Sequence, residues 1–334
     1  MTPQRAEQVP PLRSVLTAAA IKTKARELGF DVCGVAPAGD LPELAFFQTW
    51  IDNGYAAGMD YLRRSADRRA DVRRVLPSAK SVIVTGTLYN TDRPYSIECA
   101  DPQRARIARY AWGDDYHELL ERRLDALLSW MREIAPESFE ARRYVDTGPV
   151  QERVYAQHAG VGWIGKNTCV INPSLGSWLF LGEIISSLAL EPDPPALDQC
   201  GTCTLCIEAC PTQAIVGERV LDAARCISYL TIEHRGAIPG AFGRAIGSHV
   251  FGCDICQDVC PWNLHAPVAT DAAWHPRPAW DMRTIVELSN MTDAELADAL
   301  RGSAMRRAKS DGLRRNVSIA AENAQAETAG RVGR

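Results

Sequence analysis

Apolar residues recur at helical spacing in several parts of the chain, most clearly in residues 116–134. The apolar positions of this stretch are Leu120, Leu124, Leu127, Leu128, Met131 and Ile134. Residues three or four apart share one face of a helix, so the spacing predicts an amphipathic helix packed on a core. The same reasoning predicts helices over residues 14–30, ending near Gly29, and over residues 150–159.

Runs of apolar and β-branched residues separate these helices and predict buried strands. The runs are residues 30–35, 81–85, 143–145, 166–171 and 178–190. Because the strands alternate with helices, residues 1–190 are predicted to form an α/β domain.

Proline clusters mark both ends of a cysteine-rich segment. Three prolines between residues 192 and 195 precede it, and Pro267 opens a second proline-rich stretch behind it. The predicted fold class is an α+β multidomain chain. Its predicted parts are an α/β domain of residues 1–190, a cysteine domain of residues 191–265 and a helical segment of residues 266–334.

The C-terminal segment is predicted to be helical and basic. Thr292 and Glu295 form a capping-box pattern, and Gly312 is expected to divide residues 292–328 into at least two helices. Residues 301–334 carry eight basic and three acidic residues, a net charge of +5; the whole chain carries −4, which leaves −9 for the remainder. Such a patch either forms a solvated helix face or contacts a phosphate backbone.

The overall composition is that of an ordinary globular protein, with 334 residues, 46% hydrophobic and 23% charged. No apolar run reaches the length of a membrane-spanning helix, so no membrane partner is expected. The first 30 residues have neither the charged-then-apolar pattern of a secretion signal nor an Arg-Arg pair. We therefore expect a cytoplasmic protein.

Eight of the eleven cysteines lie between residues 200 and 260, in two runs. The first run reads C-x2-C-x2-C-x3-C-P, and the second reads C-x2-C-x3-C-P with one further cysteine ahead of it. In two-cluster ferredoxins of this spacing, the last cysteine of each run binds the other run's [4Fe–4S] cluster. The predicted ligands of the first cluster are Cys200, Cys203, Cys206 and Cys260. The predicted ligands of the second cluster are Cys210, Cys226, Cys253 and Cys256.

Zinc sites and disulfides are the alternatives for these cysteines. Structural zinc favours paired CxxC motifs, whereas three cysteines at this spacing followed by Cys-Pro favour iron–sulfur clusters. Disulfides are disfavoured in a chain without a secretion signal. The clusters could also be purely structural, but two clusters in one crossed framework should lie close together, which suits electron transfer.

Asp146 and Arg153 are the candidates for chemistry outside the cysteines. Asp146 follows a predicted strand, and a carboxyl at the mouth of an apolar pocket can hold a proton for donation. The alternative is that Asp146 only caps the helix predicted at residues 150–159. All six histidines are interpreted as structural, and Cys33 and Cys169 as core residues.

Residues 160–165 match the pattern G-x-G-x-x-G. A dinucleotide fingerprint needs a strand before this pattern and a helix after it, and here the predicted order is reversed. We therefore interpret it as a helix stop and turn, with Lys166 placed where backbone can approach an anion.

Several motifs together resemble the epoxyqueuosine reductase family, in the family's order over most of residues 15–325. They read RYAWGDDYH at 109–117, VDTGPVQER at 145–153, GVGWIGKNT at 160–168, GSWLFLGE at 176–183, CISYLTIEHRG at 226–236 and SAMRRAKSDGLRRN at 303–316. Both cysteine runs fit the same resemblance. The family's C-terminal helical-repeat region is expected to be shortened in this chain.

The resemblance implies an N-terminal cobalamin-binding domain related to that of reductive dehalogenases, a ferredoxin-like domain with two [4Fe–4S] clusters, and a short segment similar to helical repeats. The implied reaction reduces epoxyqueuosine to queuosine in the tRNA anticodon loop, a two-electron removal of the epoxide oxygen with Asp146 as proton donor. The implied cobalamin contacts are Arg69, Asp146, Arg153, Ser228, Cys253 and Asp254. The candidate tRNA contacts are Glu233, His234, Arg235, Arg306, Arg307, Arg314 and Arg315.

Because Cys253 lies beside Asp254, the second cluster is expected to face the cobalt. A low-potential electron donor is implied, and a monomer is expected. Two other functions stay open: a dehalogenase-like enzyme acting on a small substrate, and a ferredoxin-like electron carrier without catalysis. The missing export signal and the basic C-terminal helices argue against the first, and the long α/β domain argues against the second.

Overall fold

The computed structural model describes residues 16–332, with side chains to residue 329. The strands are β1 (Val32–Pro37), β2 (Ser81–Leu88), β3 (Arg106–Ile107), β4 (Ala141–Tyr144), β5 (Trp163–Ile164), β6 (Val170–Ile171), β7 (Leu179–Ser186), β8 (Ile215–Gly217), β9 (Val220–Leu221) and β10 (His249–Phe251). The α-helices are α1 (Ala18–Glu27), α2 (Phe46–Asp52), α3 (Asp60–Arg64), α4 (Ala66–Arg69), α5 (Tyr116–Ile134), α6 (Glu152–His158), α7 (Leu205–Glu208), α8 (Ile227–Ile232), α9 (Gly240–Gly243), α10 (Ile255–Asp258), α11 (Ile285–Asn290), α12 (Asp293–Leu300) and α13 (Lys309–Val332). Short 3-10 helices lie at Pro42–Ala45, Val72–Arg74, Ser96–Glu98, Arg109–Ala111, Ala223–Arg225, Pro261–Asn263, Ala272–Trp274 and Ala304–Ala308.

A four-stranded sheet with the order β1-β2-β7-β4 forms the centre of the N-terminal part, and its three pairings are all antiparallel. Every residue of β2 is buried, because helices cover both faces of the sheet. The argument that placed Asp146 at a strand end concerns the carboxyl edge of parallel sheets, so it does not apply to this sheet.

The two faces of the sheet pack against different helices. Ile83 points into a core shared with α1 and α5, whereas its neighbours Val82 and Val84 point into a core shared with α6. The apolar face of α5 is fully or nearly buried on the first side. Each buried leucine there contributes roughly 2 kcal/mol, which stabilises a helix that would be marginal in isolation.

A third core joins parts of the chain that are far apart in sequence. Strand β3 pairs in parallel with β10, and Ile107, Phe251, Met305 and Val317 pack together with α11, α12 and α13. The C-terminal helices are therefore docked on both the N-terminal part and the cysteine-rich part. The domain limits expected from the sequence stay a prediction.

Most of the elements expected from the sequence are present. The helix over residues 116–134 has the predicted limits, and the predicted strands at 81–85 and 178–190 are β2 and β7. The strands expected at 30–35 and 143–145 are β1 and β4, and the helix expected at 150–159 is α6. The predicted first residues of the opening helix, and the side chains of Arg331 and Arg334, lie outside the described residues.

Two predicted elements are wrong. Residues 166–171 form a strand only at Val170 and Ile171, which pair with β5, because the preceding residues form the turn of that hairpin. Gly312 does not break the last helix: α13 runs through it, and the interruption falls instead between α12 and α13. Tertiary packing of α13 outweighs the roughly 1 kcal/mol that a glycine costs inside a helix.

Within residues 16–332, no helix is both long enough and apolar enough to cross a membrane.

The close approach of β1 to α6 generates a test of the fold. A Cβ atom on Gly34 would lie 1.9 Å from the carbonyl oxygen of Ala159, so Gly34→Ala forces the strand and the helix apart. We expect this variant to lose roughly 1–3 kcal/mol of unfolding free energy, measured by circular dichroism in denaturant. Gly39→Ala is the matched control, since a Cβ there meets no atom within 4 Å. Equal stability of the two variants would contradict the packing described here.

Candidate functional site

Asp146 stands in a tight turn between β4 and α6. Its φ angle is +57°, and the amide of Thr147 donates to the carbonyl of Val145 at 2.5 Å, which makes a three-residue turn centred on Asp146. Helix α6 begins after Gln151 without a side-chain cap, so the interpretation of Asp146 as a helix cap is wrong. The turn instead holds the Asp146 carboxyl in a cleft, where its side chain is 61% exposed to solvent.

His117 is the nearest partner of this carboxyl. Its Nε2 lies 3.4 Å from Asp146 Oδ2, and its Nδ1 lies 2.7 Å from Oδ1 of the buried Asp115. Burial alone would lower the pKa of His117, but hydrogen bonds to Asp115 and Asp146 outweigh it and raise the pKa to about 9. The imidazole is therefore protonated at neutral pH, and the interpretation of this histidine as structural misses its place in the site.

Asp146 is ionised in this arrangement. Enclosure by the cleft would raise the pKa of Asp146, but the hydrogen bond and charge of His117, with the charges of Arg153 and Arg69, lower it below its usual range. The exchangeable proton of the pair therefore resides on His117.

Arg69 and Arg153 are held at the cleft by backbone oxygens. Arg69 Nη1 donates to the carbonyl of Val150 at 2.7 Å, and Arg153 Nη1 donates to the carbonyl of Thr168 at 2.8 Å. Tyr61 lies within electrostatic reach of Arg69, Asp146 and Arg307. The space bordered by Tyr61, Arg69, His117, Asp146 and Arg307 is called the acid cleft below.

Electrostatic interactions connect members of each of the two predicted cysteine sets, and the division of the eight cysteines between two clusters stays a prediction. All eleven cysteines lie within the described residues and are free thiols, so the disulfide alternative is wrong for this structure. In the first set, Cys206 interacts electrostatically with Cys200 and Cys203, and Cys260 with Cys200 and Cys206. In the second set, Cys253 interacts with Cys210 and Cys226, and Cys256 with Cys226 and Cys253.

Several donors point at the sulfur atoms of these sets. The indole N–H of Trp163 donates to Cys200 Sγ at 3.4 Å, and the amide of Ala214 donates to Cys210 Sγ at 3.2 Å. Such hydrogen bonds stabilise thiolate ligands and tune cluster potentials. Among residues 16–332, no three His, Cys, Asp or Glu side chains are grouped tightly enough to hold a single metal ion.

The second thiol set adjoins the acid cleft. Cys169 hydrogen-bonds to Cys256 and interacts with the charge of Arg153, which also acts on Asp146. The sequence interpretation of Cys169 as an ordinary core residue misses this contact.

Ser228 and Asp254 adjoin the second thiol set. Ser228 hydrogen-bonds to Cys226, and the buried Asp254 accepts the amide of Arg109 at 2.6 Å. The half-buried Tyr110 interacts electrostatically with both Asp146 and Asp254. The six residues expected to contact cobalamin are therefore connected through Tyr110, Cys169 and the second thiol set, and their role as cobalamin contacts stays a prediction.

The candidate tRNA contacts divide into exposed and structural groups. Arg307 forms two hydrogen bonds with Glu233, at 2.7 and 2.8 Å, and its guanidinium lies 5.5 Å from the centre of the Tyr61 ring. Arg306 lies 3.3 Å from Oδ2 of Asp115. Both arginines remain more than half exposed at the rim of the acid cleft.

The other candidates bind the protein itself. Arg235 donates to the carbonyls of Arg307 and Ala308, and Arg315 to those of Leu230, His234 and Gly236. Arg314 pairs with Asp293, and the ring of His234 contacts the carbonyl of Ala237. Lys166 likewise pairs with Glu218 at 2.8 Å, so its ammonium already has an anionic partner. Much of the predicted basic patch thus joins α8, α12 and α13.

Sequence reasoning also overlooked two glutamates beneath the Asp146 turn. Glu152 accepts the amide of Asp146 at 2.6 Å, and Glu183 on β7 is fully buried beside Glu152. Glu183 carried a usable signal, because a glutamate inside an apolar strand is seldom buried without a purpose.

Family comparisons agree with this geometry. Residues 199–263 match the model of a 4Fe-4S double cluster binding domain, and residues 69–147 match the model described as epoxyqueuosine reductase QueG, DUF1730. The double-cluster domain beside a cleft with an acid group defines an iron–sulfur oxidoreductase.

Relatives extend the match to nearly the whole chain. The chain is 44% identical over 311 residues to an epoxyqueuosine reductase of Gloeobacter violaceus, which covers 91% of this chain and 95% of the relative. It superposes with a TM-score of 0.82 and 29% identity on a crystal structure of epoxyqueuosine reductase with an epoxyqueuosine-modified tRNA-Tyr stem loop, covering 92% of this chain and 81% of that one. A Bacillus subtilis epoxyqueuosine reductase with its catalytic loop swung out of the active site matches with a TM-score of 0.82, at 29% identity, over 93% and 82% of the two chains. The chain belongs to the epoxyqueuosine reductase family.

The His117 environment gives a prediction that needs no turnover. Asp115→Asn removes the carboxylate at Nδ1 while keeping a good N-cap for α5, so the pKa of His117 should fall from about 9 toward its usual value. The measurement is an NMR titration of protein labelled in histidine. Asp114→Asn, at the exposed neighbouring residue, should leave the titration unchanged. An unchanged titration in Asp115→Asn would show that Asp115 does not set the charge of His117.

Proposed function

We propose that this chain reduces epoxyqueuosine to queuosine in the anticodon loop of tRNA. The observation that carries the proposal is the protonated His117 beside Asp146, in a cleft that adjoins the second thiol set. An acid group and an electron-transfer group at one site match a reaction that consumes electrons and protons together. Membership of the family and the tRNA stem loop bound to a relative support the same substrate.

The two thiol sets fit two [4Fe–4S] clusters. Electrostatic interactions within each predicted ligand set support this assignment, as do the hydrogen bonds that Trp163 donates to Cys200 of the first set and Ala214 donates to Cys210 of the second. We assign Cys200, Cys203, Cys206 and Cys260 to one cluster. We assign Cys210, Cys226, Cys253 and Cys256 to the other.

The acid cleft fits cobalamin as the group between substrate and clusters. Arg69 and Arg153 act on Asp146 in the cleft, and Ser228, Cys253 and Asp254 belong to or adjoin the second thiol set next to it, which supports these residues as cobalamin contacts. When bound, the cobalamin and the clusters supply the two electrons of the reaction. The contact of Cys169 with Cys256 and Arg153 supports the expectation that the second cluster faces this cofactor.

The protein residues supply and direct the protons. Conversion of an epoxide to an alkene breaks both carbon–oxygen bonds and takes up two electrons and two protons, so that the oxygen leaves as water. His117 passes its proton to Asp146, which is exposed in the cleft and delivers it to the departing oxygen. His117 then takes up a second proton from solvent and supplies it by the same route. Asp115 keeps His117 protonated by accepting from Nδ1.

The rim of the cleft is the proposed tRNA contact. Arg306 and Arg307 are exposed there and can bind phosphates of an anticodon loop whose modified base enters the cleft. Glu233 orients Arg307, whereas Arg235, Arg314 and Arg315 support the rim through the contacts described above. His234 belongs to the same segment. The enzyme is proposed to act as a cytoplasmic monomer supplied by a low-potential electron donor.

Removal of the proposed acid gives the most direct test. Asp146→Asn should lower turnover of epoxyqueuosine-containing tRNA by about 10²- to 10⁴-fold, because general acid catalysis contributes on this order. The assay is anaerobic turnover with and without added cobalamin, with cluster content checked by iron analysis. Asp114→Asn is the matched control. Unchanged turnover in Asp146→Asn would remove Asp146 from the mechanism.

The pH profile tests the role of His117. Its pKa is raised to about 9, so the protonated form that stores the acid is present below that pH and is lost above it. Turnover of the wild-type enzyme should therefore fall as the pH rises through about 9. In Asp115→Asn the decline should move to lower pH. A profile that is the same in both proteins would contradict the assignment.

Salt dependence tests the rim. Arg307→Gln should weaken tRNA binding. It should also reduce the magnitude of the slope of log affinity against log salt concentration by roughly one, the contribution of one phosphate contact. Arg307→Lys, which keeps the charge, should retain the wild-type slope although it loses the paired hydrogen bonds to Glu233. Equal slopes for the wild type and Arg307→Gln would show that Arg307 does not contact phosphate.

A further inference from the structure

Two glutamates, the fully buried Glu183 and the half-buried Glu152, lie beside the Asp146 turn, and neither has a role in the proposed proton transfer. Glu152 is the first residue of α6, and Glu183 lies on β7 opposite Val84 and Tyr144. Glu183 is 0% exposed, and neither of its oxygens receives a hydrogen bond from a donor group among the described residues. A buried carboxylate without donors or a counter-charge is costly, so Glu183 is expected to be neutral.

A neutral Glu183 has one hydrogen to donate, and Glu152 is the acceptor beside it. The Glu183 oxygens have no other donor, and the two carboxyl groups interact closely enough to share a hydrogen bond, which can form only when one of them carries a proton. Burial and the charge of Asp146 raise the pKa of Glu152 to about 7, and burial and the charge of Glu152 raise that of Glu183 well above its usual value. The proton therefore belongs on Glu183.

Glu152 connects this carboxyl pair to the turn that contains Asp146. Its Oε1 accepts the amide N–H of Asp146 at 2.6 Å. Asp146 has a φ of +57°, a conformation that is strained for a non-glycine residue and persists only when its surroundings hold it. The hydrogen bond to Glu152 is one such restraint.

We propose that Glu183 and Glu152 form an acid–carboxylate pair sharing one proton, and that this pair positions the Asp146 carboxyl by holding its turn from below. Glu183 donates to Glu152, and Glu152 accepts from the Asp146 amide. Both are positioning residues, since they act on the reaction only through Asp146. The proposal rests on the proposed role of Asp146, but the protonation of the pair can be measured without turnover.

Other charged groups also face the pair. Asp146 and Arg153 act on Glu152, while Glu152 in turn acts on Arg69 and on the half-buried Tyr116. The two arginines favour the charged form of Glu152, which is the form that accepts the Asp146 amide. Together they keep the negative charge of the pair on Glu152 rather than on Glu183.

Infrared difference spectroscopy of the intact enzyme at neutral pH tests the protonation. The wild type should show a protonated-carboxyl band that is absent from Glu183→Gln, and the difference spectrum separates this group from Asp254 and Asp258, whose pKa values burial also raises. Glu118→Gln, at an exposed position on α5, should keep the band. A band that persists in Glu183→Gln overturns the proposal.

Turnover tests the positioning role. Glutamine at 183 still donates to Glu152, so Glu183→Gln should retain most of the wild-type turnover. Methionine cannot donate, so Glu183→Met should lower kcat by roughly 10- to 100-fold with little change in KM for tRNA, because a displaced acid acts only on the chemical step. Equal kcat values for the two variants would contradict positioning, and if Glu183→Met does not fold, the infrared result on Glu183→Gln decides. Wild-type turnover in Asp146→Asn would refute the proposed acid but would leave the infrared result unaffected.

Discussion

The site depends on how one buried carboxylate, Asp115, is satisfied. Its Oδ1 accepts the first-turn amide of α5 and contacts His117, its Oδ2 faces Arg306, and its own amide donates to the carbonyl of Gly302. A buried charge needs such partners, so the position of the C-terminal segment is tied to the start of the longest core helix. The charge of His117 and the docking of the basic segment at the cleft are consequences of the same residue.

The carboxyl groups around Asp146 are driven to opposite protonation states by their surroundings. Hydrogen bonds and positive charge keep Asp115 and Asp146 ionised, whereas burial without donors keeps Glu183 neutral. Groups of one chemical type whose pKa values are pushed apart are characteristic of acid–base sites. If all these groups had the same protonation state, the site could not contain both a proton donor and a proton acceptor.

The fold could be predicted from the sequence where the signal is local. Helix α5 has the predicted limits because its apolar spacing is unbroken. The failures have physical causes as well. Within residues 166–171, the first four residues form the turn of a hairpin and only Val170 and Ile171 form a strand, and α13 passes through Gly312 because packing against α8 and β10 stabilises it.

The acid site was only partly predictable, because its contacts are distant in sequence. Asp146 was found through a motif, but His117 lies 29 residues earlier and Glu183 lies 37 residues later on the chain. No periodic pattern records that a helix start, a turn and the middle of a strand meet at one point. The protonation state of the site was also not predictable from the sequence, because the proton lies on His117, which was interpreted as a structural histidine.

The turn at Asp146 and the hairpin at Cys169 are coupled through one side chain. Arg153 donates to both the carbonyl and the hydroxyl of Thr168, a residue with a φ of +69°, while its charge acts on Asp146 and on Cys169. Cys169 in turn contacts Cys256 of the second thiol set. Arg153, which stabilises the ionised Asp146, therefore also holds the Cys169 hairpin against the proposed cluster. A displacement of the Asp146 turn would change the position of the hairpin, and the reverse. Because protons and electrons must arrive at the same oxygen, a shared rigid support for their two sources is a physical requirement of the proposed reaction.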